Sequence, residues 1–157
     1  MPHLNVPADV DAWFAEYGWF PGRNVADQVP AIVAQIVGES RNAGFPVEPF
    51  AAATDFLAEH AGLSVTHDVR REEHLHFTPV PVWGDLFEDI AELSRGLGAK
   101  VFPVGWDSAE GELLVIDEQG RFFTMNSFGN YYMGTGKHEA MIGLFRWPMK
   151  DAEDLYV

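Results

Sequence analysis

The sequence predicts an α+β fold, a mainly antiparallel sheet of about four to six strands with helices packed on it. Three observations predict it. Ala99–Asn126, AKVFPVGWDSAEGELLVIDEQGRFFTMN, reads as three short strands joined by two tight turns. Within it, Leu113–Ile116 is apolar at four successive positions, which suits a strand covered on both faces rather than one half in solvent. The segments on either side carry single apolar stripes at helical spacing, and these are the natural cover.

Val10, Trp13, Phe14 and Tyr17 fall at i, i+3, i+4 and i+7 behind Pro7-Ala8-Asp9, a first helix whose acidic start suits the helix dipole; it ends at Gly18. Trp19-Phe20-Pro21-Gly22-Arg23 is an aromatic turn, its arginine placed to cap a helix C-terminus or to pair with a carboxylate. Val25, Val29, Ile32, Val33, Ile36 and Val37 carry a second helix through Asn24–Asn42, where Pro30 requires either a first-turn position or a kink. Pro49–Ala61 is a third helix, with Phe50, Ala53 and Leu57 on one face, Phe56 beside them and Gly62 as its stop.

Leu63–His67 and His74–Thr78 read as strands around the charged bend 68–73. From Trp83 to Leu97 the period is helical again: Leu86, Ile90, Leu93 and Leu97 form an apolar stripe, while Asp85, Glu88, Asp89 and Glu92 form a second stripe, wholly acidic. The turns of the meander, Asp107–Gly111 and Asp117–Gly120, each open on an aspartate able to bond its own backbone and close on a glycine that tolerates positive φ. Asn130–Met133 adds a strand, Gly134-Thr135-Gly136 a turn, and His138–Phe145 a last helix. A polar, acidic tail over 148–157 has Leu155 and Tyr156 to fold back with. The whole chain, 1–157, reads as one domain with its core over about 10–147.

Composition narrows the function. With 24 acidic and 10 basic residues the net charge is −14, a field that repels nucleic acid and fits a basic partner. There is no cysteine, so disulfides, thiolate metal sites and cysteine nucleophiles are excluded. No run of 18 apolar residues and no basic-then-apolar start occurs, so the expectation is a soluble protein of the cytoplasm, with no membrane contact.

Two clusters offer function. His67, Asp68, Glu72, Glu73, His74 and His76 are the most enzyme-like; His74 and His76 share one face of a strand and could share a metal, with His67 or a carboxylate from the preceding strand as third ligand, the donor set of a metal-dependent hydrolase. The same alternation is what a one-sided edge strand needs, with Leu75 and Phe77 inward. The acidic stripe Asp85, Glu88, Asp89 and Glu92 is the stronger candidate for binding a partner. Gly129 and Gly134 have phosphate-loop spacing, but Thr135, Gly136 and Lys137 follow instead of lysine and then serine or threonine, which excludes that loop.

Read together, Gly18-Trp19-Phe20-Pro21-Gly22-Arg23, Phe56-Leu-Ala-Glu-His-Ala-Gly-Leu63, Val101-Phe-Pro103-Val-Gly105, Leu113-Leu-Val-Ile-Asp117, Gly120-Arg-Phe122 and Glu139-Ala-Met-Ile-Gly-Leu144 resemble the third group of the SUKH superfamily of bacterial immunity proteins. His60-Ala61 departs from the pattern, which usually carries an aromatic and a second glycine there. The resemblance implies a domain without catalysis or cofactor that binds and blocks a toxin, commonly a nuclease. It also implies that Gly18, Trp19, Pro21, Gly22, Arg23, Pro103, Gly105 and Gly120 serve the fold rather than the partner. A protein-binding adaptor of the same fold, without a toxin, remains the alternative to immunity and to the hydrolase.

Overall fold

The computed structural model describes all 157 residues. Five helices, α1 (Pro7–Ala15), α2 (Val29–Asn42), α3 (Ala51–His60), α4 (Leu86–Leu97) and α5 (Lys137–Leu144), surround a seven-stranded sheet. The strands are β1 (Ser64–Asp68), β2 (Glu73–His76), β3 (Val101–Asp107), β4 (Glu112–Asp117), β5 (Arg121–Asn126), β6 (Gly129–Thr135) and β7 (Lys150–Asp151). They lie side by side in chain order and every neighbouring pair is antiparallel. The α+β class holds, and the strand count exceeds the expected range by one. The extra strand comes from the C-terminal segment, where Asp151 and Lys150 pair with Tyr131 and Tyr132; two polar residues carry no periodicity that a sequence reading can find.

Local chemistry explains the boundaries. The Asp9 carboxylate accepts from the backbone N–H groups of Asn5 (2.8 Å) and Val6 (3.1 Å), closing the start of α1. Pro30 falls in the first turn of α2, where its missing N–H costs nothing, so the helix does not kink there. At the β4–β5 turn, Asp117 Oδ1 accepts from the backbone of Gln119 and Arg121, and Gly120 closes the turn at φ +82°. At the β3–β4 turn, Asp107 Oδ1 accepts from Ala109 N–H at 2.9 Å. In β3 the register shifts between Pro103 and Gly105, which brings Gly105 so close to β2 that a Cβ there would lie 2.4 Å from the His76 carbonyl oxygen.

Leu113, Leu114, Val115 and Ile116 are all buried to within 2%, so β4 is covered on both faces. On one face α3 lies over β3 and β4, and Phe56 meets Phe77 and Phe122 edge-on at 5.4 and 5.1 Å. On the other face Leu113 stands opposite Met125 and Val115 opposite Phe123. There α4 supplies the cover with Leu86, Phe87, Ile90, Leu93 and Leu97. The C-terminal segment fixes α4 in place: Val157 N–H donates to the Gly96 carbonyl at 2.9 Å, and the Tyr156 ring lies against Gly96.

Candidate functional site

The helix that carries the acidic stripe begins at Leu86, three residues later than its period suggests, because Trp83 is used otherwise. Its indole N–H donates to Asp89 Oδ2 at 2.7 Å, folding the incoming segment back onto the first turn of α4. Asp85, Glu88 and Glu92 remain exposed, whereas Asp89 is half-buried in that bond. Glu88, Asp89 and Glu92 therefore lie on α4 with Asp85 at its N-cap, just ahead of the first helical residue; three of the four carboxylates are exposed and the fourth is a structural clasp. Trp83 also lines a surface depression of about 250 Å³ with Val82, Glu110, Asn126 and Phe128.

The histidine cluster does not assemble. Ser64 pairs with His76 and Thr66 with His74, so both imidazoles lie on one face of the sheet, where their Nδ1 atoms bond to Ser64 Oγ (2.7 Å) and Thr66 Oγ1 (2.8 Å). His67 is one residue beyond Thr66 and points to the opposite face, with its Nε2 2.9 Å from Asp107 Oδ1. No group of three His, Asp or Glu side chains is placed to hold a metal ion. The three-histidine hydrolase site is thus overturned by strand alternation. Leu75 and Phe77 point inward, as a one-sided strand requires.

The aromatic turn serves packing. Arg23 N–H donates to the Phe20 carbonyl at 3.0 Å, and with Pro21 at the second position and Gly22 at the third, φ +83°, the segment is a type II turn. The turn aims the Arg23 guanidinium at the end of α3, where it donates to the Glu59 (2.7 Å) and Ala61 (2.9 Å) carbonyls. Trp19 stacks parallel to His60 and receives the Lys137 ammonium over its face at 3.6 Å. Burial pulls the Lys137 pKa down, against the ion pair with Asp11 at 3.3 Å, which pulls it up. His60 stacks on Phe56 at 4.3 Å among Phe14 and Phe77. Burial, reinforced by the Lys137 charge, pushes its pKa down to about 4, so the imidazole is neutral and acts as an aromatic ring.

Taken together, these features describe an α+β domain with an exposed acidic row at the start of one helix and no assembled metal site. The chain belongs to the SUKH-3 immunity protein family, whose model matches residues 6–146. No curated protein and no solved structure matches it. Membership assigns it a function in immunity against a toxin, within a family that is generally non-catalytic. No helix is long and apolar enough to cross a membrane.

Proposed function

We propose that this chain binds one cognate toxin, a nuclease-type effector with a basic surface, and neutralises it in the cytoplasm by covering it, with no chemistry of its own and no contact with nucleic acid or membrane. The observation that carries this reading is the exposed acidic row of Asp85, at the N-cap of α4, and Glu88 and Glu92 on that helix, in a SUKH-3 chain whose net charge is −14. A nuclease presents cationic side chains to phosphates, and a carboxylate row both steers toward such a cleft and competes with its substrate.

The test is Asp85, Glu88 and Glu92 changed together to Lys, with Asp89 left in place because it holds Trp83. Against the cognate toxin domain, association at low salt should slow by about 10- to 100-fold while the melting temperature stays near wild type. An association rate that ignores the three reversals would remove α4 from the interface.

A further inference from the structure

In a meander whose strands follow chain order, the β1–β2, β3–β4 and β5–β6 turns share one end of the sheet. Phe128 stands at that end, 95% exposed, the most exposed of the aromatic side chains. Its turn is not loose: Asn126 Oδ1 accepts from the backbone N–H of Phe128 at 2.8 Å and of Gly129 at 3.0 Å. The ring borders the depression lined by Trp83 and Glu110, and the Trp83–Asp89 bond joins that depression to the first turn of α4. None of the depression's lining residues is cationic. Beside it Glu112, which accepts from Asn126 Nδ2 at 3.5 Å, has its carboxyl pKa pushed up, first by burial and also by the Asp107 and Glu110 carboxylates, against the bonds from Asn126 and Thr124 that pull it down; no cation faces it.

We propose that Phe128 is the apolar anchor of the toxin interface, inserting into a hollow ringed by lysine or arginine on the toxin while Asp85, Glu88 and Glu110 form the charged rim around it. The inference rests on the immunity reading and adds to it a second contact of different chemistry. Aromatic side chains fixed on ordered backbone bury large area on binding at little entropic cost, and anchors of this kind hold most of an interface's energy. The charge selects the occupant. A second copy of this chain would bring Asp85, Glu88 and Glu110 against carboxylates of the same sign, whereas a basic toxin surface supplies the missing counter-charge.

The two contacts separate kinetically. Phe128→Ala should leave the melting temperature and the association rate near wild type and raise the dissociation rate from the cognate toxin domain by about 30-fold. Phe128→Tyr, which keeps the ring, should restore most of the lifetime. An unchanged dissociation rate for Phe128→Ala, in a complex that wild type forms, overturns the anchor and leaves immunity standing. No complex with wild type overturns both. A wild-type dimer that Phe128→Ala dissolves, with toxin binding intact, assigns the ring to self-association and overturns the anchor as well.

Discussion

Phe77 and Phe128 each sit just past the end of a strand, β2 and β5, and each has its backbone tied down. Phe77 N–H donates to the Leu63 carbonyl at 2.9 Å, and Phe128 N–H donates to Asn126 Oδ1 at 2.8 Å. Their rings have opposite fates. Phe77 is fully buried among Phe14, Phe56 and His60, whereas Phe128 is 95% exposed. The difference lies in what stands above them, since α1 and α3 close over the first and only the edge of the Trp83 segment reaches the second. Order in the backbone is thus no sign of cover for the side chain, and an ordered but uncovered ring is a surface available to another molecule.

The largest effect that sharpens this contrast is the loss of a buried ring. Phe77→Ala should cost about 3–5 kcal/mol of stability, while Phe128→Ala should change it by less than about 0.5 kcal/mol, both read from urea midpoints. Next comes acid. His60 is held neutral in the fold with a pKa of about 4 against an ordinary 6.5, so the unfolded chain binds its proton first. The stability this residue contributes is complete above pH 6.5 and falls as pH drops toward 4, by about 3 kcal/mol in full. His60→Phe, which keeps an aromatic ring but removes the titrating group, should narrow the stability gap between pH 7 and pH 4.5. An equal gap in both proteins would show that the buried imidazole does not govern acid sensitivity.

A smaller loss, about 1–2 kcal/mol, is expected for Arg23→Ala, which strips two charge-assisted bonds from the end of α3; amide exchange should quicken at the C-terminal turn of that helix. The smallest change belongs to the exposed end. Because the Glu112 pKa is raised, its destabilisation sets in as pH rises through the ordinary glutamate range. Glu112→Gln should therefore stabilise the protein slightly at pH 7 and not at pH 3, and a loss at pH 7 would mean that the Asn126 bond to its carboxylate outweighs the cost of burial.

The buried half of this contrast was legible in the sequence. Val10, Trp13 and Phe14, or Leu86, Ile90, Leu93 and Leu97, announce themselves because a helix repeats every 3.6 residues whatever lies beyond it. Asp117 and Gly120 mark their turn because both act on their own backbone. The site was legible only in part. Periodicity placed Asp85, Glu88, Asp89 and Glu92 on one face, but it could not distinguish Asp89, whose bond to Trp83 depends on a segment outside the helix folding back. It grouped His67 with His74 and His76 across a bend, and only the register put them on opposite faces. Phe128 and Glu110 lie 18 positions apart in different turns and meet only because the sheet is a meander. A bulky aromatic between Ser127 and Gly129 was the one local signal, since such turns favour small or polar residues.

The strict succession of strands also has a kinetic meaning. Each ladder from β3 to β6 joins segments that are neighbours along the chain, so each closes a short loop at small entropic cost before the next begins. The sheet can therefore grow by accretion, without waiting for distant segments to find one another. Two contacts span nearly the whole chain, that of Asn5 with Arg146 and that of Asp11 on α1 with Lys137 and His138 on α5. Closing them draws the first helix over a sheet already built, so the slowest step of folding should be the docking of α1, and weakening Asp11 should hasten unfolding more than it delays folding.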